Sequence, residues 1–164
     1  DWRPFAEGGF PTPSGKAELW SQALLDIGQE PLPDVGAIRR EAGLQLITGK
    51  QVPVLNSAYG HIEIHKKRAG TLFIEIDPAD ARARGLSEGD LVRVHNRLGE
   101  IHALCRISQR LRPGIAWMPF GHLEDASGVR RGVNVLTDEA PTDWGGGTGY
   151  YDAFVEVEGL GSAP

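Results

Sequence analysis

Apolar and polar residues alternate along this chain in short runs, and no long helical period appears. Leu44–Thr48, Thr71–Ile76, Leu91–His95, Glu100–Ile107, Gly114–Met118 and Phe154–Val157 each read as a strand. His61–Ile64 can alternate as one more. Between Ile74 and Asn96 the pattern changes within a very short span from strand to helix, turn and strand. Asp77 suits a helix N-cap, Pro78 the first helical position, and Asp80 the capping-box position or one near it. Gly85 supplies the left-handed residue that ends a helix, and Gly89-Asp90 turns the chain into Leu91–His95. A short helix clamped between two strands in this way predicts a small closed barrel with a β core.

The remaining segments are connections. Residues 1–13 are rich in Pro and Gly without a period and read as an arm lying on a surface. Ser14–Ile27 allows two readings. One is a helix ending at Gly28; the preferred one is a short strand over Lys16–Trp20 followed by a helix capped by Ser21. Pro31 and Pro33 keep residues 29–43 irregular. Arg97-Leu98-Gly99 and Arg112-Pro113-Gly114 make turns. The stretch from Pro119 to Tyr151 is long, glycine-rich and aperiodic, which marks it as functional or flexible. The expected layout is an arm and loop over residues 1–43 packed on a barrel over 44–158, with a tail at 159–164.

Composition narrows the function classes. At 164 residues, with 40% hydrophobic and 24% charged positions, the chain suits one compact domain of ordinary globular type. No apolar run reaches the roughly 18–20 residues of a membrane helix, so membrane insertion is not expected. A net charge of −5 argues against a nucleic-acid binder. Lys66-Lys67-Arg68, the one dense basic cluster, reads as a solvated turn. A single cysteine, Cys105, excludes an internal disulfide or a cysteine-rich metal site, and its alternation with Ile101, Ala103 and Ile107 makes it a small buried residue. The absence of an initial Met hints at a piece of something longer.

Familiar catalytic patterns are missing. No P-loop surrounds Gly15-Lys16 or Gly49-Lys50, no G-x-S-x-G elbow surrounds a serine, and the glycine run at 145–149 does not join a strand to a helix. His61, Glu63 and His65 could share one face and supply part of a metal site, but no fourth ligand is evident, and no metal is assigned. Glu124/Asp125 and Asp138/Glu139 read as solvated loop pairs rather than acid–base machinery.

Several motifs taken together resemble a known family. Phe10-Pro11-Thr12-Pro13-Ser14-Gly15-Lys16-Ala17-Glu18-Leu19 is similar to the start of the last domain of molybdopterin oxidoreductases, the dimethyl sulfoxide reductase superfamily. Leu46-Ile47-Thr48-Gly49-Lys50 followed by Asn56-Ser57 resembles the family's T-G-R loop and the N-S or H-S loop after it. Asp77-Pro78-Ala79-Asp80-Ala81, Arg84-Gly85-Leu86 and Gly89-Asp90-Leu91-Val92 resemble the next conserved stretch. Asn134-Val135-Leu136-Thr137 and the glycine run leading to Tyr151-Asp152 follow in family order.

The resemblance implies a double-psi β-barrel that binds the dinucleotide part of bis-molybdopterin guanine dinucleotide carrying molybdenum or tungsten. It implies cofactor contacts at Thr48, Gly49, Lys50, Asn56, Ser57, Asn134, Tyr151 and Asp152. Hydroxyls, amides and bare glycine backbone suit a pyrophosphate and the edge of a planar base. Lys50 departs from the family's arginine, keeping the charge but losing the planar fork. No catalytic residue is expected, because the family's metal ligand and iron–sulfur cysteines lie in earlier domains. The implied chain is not catalytic alone, binds no cofactor tightly in isolation, and works with the remaining domains of a parent polypeptide and with electron-transfer subunits. A cytoplasmic location is expected, or a periplasmic one if the parent is exported. The rival readings are a free-standing barrel subunit and a nucleotide- or protein-binding module without molybdenum chemistry.

Overall fold

A computed structural model describes residues 2–32, 34, 41–56, 58–142 and 145–161. The chain divides into two compact units, residues 1–40 and 41–164. In the first, the one helix among the described residues is α1 (Gln22–Asp26), and Ser21 caps it by accepting a hydrogen bond from Leu24 N at 3.3 Å. The Ser21 cap is as expected. The strand expected over Lys16–Trp20 does not form; Ser14 N instead donates to Glu18 Oε1, bending the segment back on itself. No residue of α1 is buried.

The second unit is a closed six-stranded barrel: β1 (Leu44–Gly49), β2 (Phe73–Ile76), β3 (Leu91–His95), β4 (Glu100–Ile107), β5 (Ile115–Pro119) and β6 (Phe154–Gly159). The order around it is β1-β5-β2-β4-β3-β6, closed by the antiparallel β6–β1 pair. β1 pairs in parallel with β5 from Gln45↔Ile115 to Gly49↔Pro119, and β2 in parallel with β4 from Phe73↔Leu104 to Ile76↔Ile107. The other neighbours are antiparallel. The inward positions are those the alternation selects. Leu44, Leu46, Ile74, Ile76, Val92, Val94, Ile101, Met118, Val155 and Val157 fill the interior, with Ala103, Cys105 and Ala116 where space is short. Burial pushes the Cys105 thiol up to about 11, as suits an inert core residue.

Local signals explain α3 (Pro78–Ala83). Asp77 caps it through Ala79 N at 2.7 Å. At its end Gly85 has φ +64°, and Gly85 N and Leu86 N donate to Arg82 O and Ala81 O, which is a Schellman motif with Ala81 and Leu86 both buried. Asp80 does not complete a capping box. Its carboxylate accepts from Gly114 N at 2.7 Å and so ties α3 to the β4–β5 turn.

Two other expectations are corrected. His61–Ile64 is not a strand: Ile62 O accepts from both His65 N and Lys66 N, opening helix α2 (Glu63–Ala69). Lys66, Lys67 and Arg68, expected in a solvated turn, are exposed but sit in the last turn of this helix, where cations complement the carbonyl ends. Strand limits shift by one or two residues: β2 begins at Phe73, β5 covers Ile115–Pro119, and β6 continues to Gly159.

Candidate functional site

The strand directions place the C-terminal ends of β1, β3 and β5 and the N-terminal ends of β2, β4 and β6 at one end of the barrel. Three connections emerge there, residues 50–72, 96–99 and 120–153. The other end carries α3 and the turn at 108–114. Thr48 and Gly49 finish β1, while Lys50 and Asn56 lie on the first connection and Asn134, Tyr151 and Asp152 on the third. Barrel topology thus brings seven of the eight residues read from the sequence to one end. The eighth, Ser57, lies outside the described residues.

Thr48 points inward at the barrel mouth and is nearly buried, opposite Met118. Gly49 is held against an aromatic wall. A Cβ there would lie 2.4 Å from Trp117 Nε1, and Gly49 O accepts from Phe120 N at 3.0 Å. Lys50 is exposed and makes no ion pair or side-chain hydrogen bond among the described residues. Asn56 adopts φ +53°, a conformation asparagine tolerates better than most residues. Its carbonyl meets Gly121, where a Cβ would stand 2.0 Å from Asn56 O; Gly121 itself has φ +95°. Only glycine at 121 allows the two connections to close on each other.

Asn134 lies in a 3-10 turn, Val133–Leu136. Its main-chain carbonyl accepts from Thr137 N and Thr137 Oγ1, but its side-chain amide has no partner among the described residues and is exposed. The side chain therefore does not tie down its own backbone. Tyr151 and Asp152 are exposed just before β6, where Gln45 Nε2 donates to Tyr151 O at 2.9 Å.

Four residues that organise this end were not read from the sequence as cofactor contacts, though His65 was weighed as a metal ligand. Asn96 Oδ1 accepts from Leu98 N and Gly99 N, closing the hairpin, while its Nδ2 donates to Leu136 O at 2.8 Å and Phe154 O at 3.2 Å. It fixes the turn that carries Asn134. Gln51 Nε2 donates to Ala69 O at 2.9 Å, so its Oε1 is the acceptor facing His122 Nε2, also at 2.9 Å. That assigns the proton to His122 Nε2. Burial, with Arg106 nearby, holds this imidazole below its ordinary value and so favours its neutral form. His65 Nδ1 donates to Pro53 O at 2.6 Å and stacks on Tyr59. Together these bonds hold the first connection between α2 and the segment after β5.

Asp125, read as a solvated loop residue, is instead fully buried at its side chain. It accepts from Arg131 Nε at 2.5 Å and from the backbone N–H of His102, Ser127 and Val129 at 2.9–3.2 Å. Burial pushes its carboxyl upward, but these donors outweigh burial and hold it below the usual aspartate value. The Asp-x-Ser-Gly sequence carried the turn signal that would have found it. His61, Glu63 and His65 do not converge, and no group of three metal-ligating side chains gathers among the described residues. No helix among them is long and apolar enough to cross a membrane.

Comparison with known proteins agrees with this geometry. The family model described as "Molydopterin dinucleotide binding domain" matches residues 44–154, from the first residue of β1 to the first of β6. The chain is 32% identical over 169 residues to dimethyl sulfoxide reductase DmsA of Escherichia coli, covering 90% of this chain and 21% of that protein. It is 30% identical over 158 residues to probable oxidoreductase YoaE of Bacillus subtilis, covering 95% of this chain and 23% of that one. The chain thus spans less than a quarter of the length of these relatives. In structure it resembles acetylene hydratase from Pelobacter acetylenicus, with a TM-score of 0.65, 19% identity, and coverage of 98% of this chain and 25% of that one, a likeness of fold. Since the matched segment runs from β1 into β6 and includes every connection at the loop-bearing end, the chain belongs to the molybdopterin dinucleotide-binding domain family, with relatives among dimethyl sulfoxide reductase-type molybdoenzymes.

Proposed function

We propose that the loop-bearing end of the barrel holds the guanine dinucleotide portion of bis-molybdopterin guanine dinucleotide within a longer molybdenum or tungsten oxidoreductase. The observation that carries this reading is the convergence of the β1–β2 and β5–β6 connections at one end, with polar side chains that have no internal partner. The residues fit such a group. Thr48 offers a hydroxyl, Lys50 a cation, and Asn56 and Asn134 amides able to pair with a planar edge. Gly49 packs against Trp117 and Gly121 against the Asn56 carbonyl, so glycine at both positions lets the connections that carry these groups close together. Tyr151 and Asp152 flank the same end. The two parallel pairs, β1/β5 and β2/β4, support the double-psi reading of the barrel.

When bound, the cofactor supplies two-electron redox chemistry at its metal. The share of this chain is to bind and orient the dinucleotide and to exclude water around it. Its partners would be the remaining domains of the same polypeptide and electron-transfer subunits, in the cytoplasm or, for an exported parent, the periplasm.

The test uses the native polypeptide that carries this sequence. Lys50→Ala and Asn134→Ala should each weaken cofactor retention about fivefold to tenfold, the value of one lost polar contact. Metal content and released guanine nucleotide per polypeptide report it. Unchanged content in both variants sinks the reading.

A further inference from the structure

Residues 2–32 hold many of the large apolar side chains that are open to solvent. Trp2 is 87% exposed and Leu19 82%, and Phe5, Phe10, Trp20 and Ile27 are exposed with them. Pro31 is the one buried residue in this stretch, and no residue of it joins the hydrophobic core. Single exposed apolar residues are ordinary, but a run of them marks an interaction surface. The segment nevertheless has definite structure. Phe10 N donates to Gly15 O at 3.1 Å, Thr12 Oγ1 to Lys16 O at 2.7 Å, and Ser21 N to Pro31 O at 3.0 Å. The rings of Phe5 and Phe10 stack 4.6 Å apart. These contacts order the backbone, yet the segment buries too little apolar surface of its own to offset that ordering.

Composition selects the occupant. Trp and Phe are enriched in the cores of protein–protein interfaces. A lipid surface is disfavoured, because the stretch sets two cations, Arg3 and Lys16, against four carboxylates, Glu7, Glu18, Asp26 and Glu30, a balance that anionic headgroups repel. The family model begins at Leu44, whereas the match to YoaE covers 95% of this chain and so runs through most of residues 1–43. Likeness to a far longer protein, of which this chain covers 23%, therefore extends beyond the binding domain into this stretch.

We propose that residues 2–32 dock an apolar protein surface that belongs to the rest of the native polypeptide, outside these 164 residues, with Trp2, Phe5, Phe10, Leu19 and Trp20 as anchors. The inference rests on the longer-polypeptide part of the function proposed above and on no cofactor contact. In the 164-residue chain alone these side chains meet solvent.

The native polypeptide is the material for the test. Hydroxyl-radical footprinting, read by mass spectrometry, compares its folded and urea-unfolded states. Trp2 and Leu19 should react about tenfold more slowly when folded, as expected for side chains that pass from solvent into a packed interface core. Reaction at the unfolded rate overturns the proposal. Benzoyl-phenylalanine in place of Trp20 then identifies the occupant by photo-crosslinking. The expected product is a crosslink within one polypeptide, to residues outside this sequence. A crosslink to residues 41–164 assigns the surface to the barrel, and a product of doubled mass assigns it to a second copy. Flotation with phosphatidylglycerol vesicles that is lost in Leu19→Ser/Trp20→Ser assigns it to lipid. Each of these three overturns the proposal, as does a native polypeptide no longer than this chain. Failure of the guanine reading would show separately, in the retention assay on Lys50 and Asn134, which involves no residue of this segment.

Discussion

At the residue scale, the loop-bearing end depends on positions where one atom decides the outcome. Gly121 combines φ +95° with a Cβ position 2.0 Å from Asn56 O. Backbone cannot move aside as a side-chain tip can, so Gly121→Ala should cost roughly 2 kcal/mol or more, measured by urea unfolding. Gly49→Ala meets a Trp117 ring atom and should cost less; equal losses would refute this ordering. Asp125 is the second such position. Replacing it by Ala orphans three N–H groups and takes one partner from the half-buried Arg131 guanidinium, which keeps Glu100, at a cost of roughly 3 kcal/mol. The pH dependence follows from its lowered pKa. The folded value lies below the unfolded one, so the stabilisation is complete above about pH 4 and is lost as pH falls through the folded value. The stability gap between Asp125→Ala and the unsubstituted chain should stay level near neutrality and narrow in acid. A gap that widened in acid would show the opposite sign.

At the scale of elements, α3 is specified almost wholly by its own sequence. The cap, the proline after it and the Schellman glycine each satisfy a backbone group locally, and Ala81 and Leu86 add buried apolar contact. Asp77→Ala should therefore cost about 1 kcal/mol, and a loss below a few tenths in thermal unfolding would show that packing alone holds the helix. α2 is the opposite case. Its N-cap, Ile62, makes no side-chain cap bond, and its sequence alternates well enough to pass for a strand. What makes it a helix is tertiary: Gln51 reaches Ala69 O, His65 reaches Pro53 O, and Lys66 reaches Glu124. The 3-10 turn carrying Asn134 is likewise held from outside, by Asn96.

Across the whole molecule, closure of the barrel removes both sheet edges and pairs every strand on two sides. Amides of β2, β4 and β5 should exchange slowest, and those of α1, with no buried residue, should exchange near the rate of open chain. Protection in α1 matching that in β4 would contradict this picture. Three loops at one end and compact connections at the other give the barrel a rigid body and one polar, loop-bearing end. The conformational cost of ordering long loops is met at the end where they can contact a ligand.

The strands, the cap and end of α3, and the buried place of Cys105 were legible in the sequence, because a two-residue period and local capping bonds are properties of adjacent residues. The motif order also pointed to the family and to seven residues that the barrel gathers at one end. The sequence could not show that His61–Ile64 lies at the start of a helix, nor that Asp80 reaches Gly114 rather than its own helix. Nor could it show that Asp125 is buried. Each of these depends on segments distant in the chain that only meet when parallel pairing, β1 with β5 and β2 with β4, brings their connections side by side. Periodicity decides which face of a strand is buried; closure of the barrel decides which loops become neighbours, and with them the site.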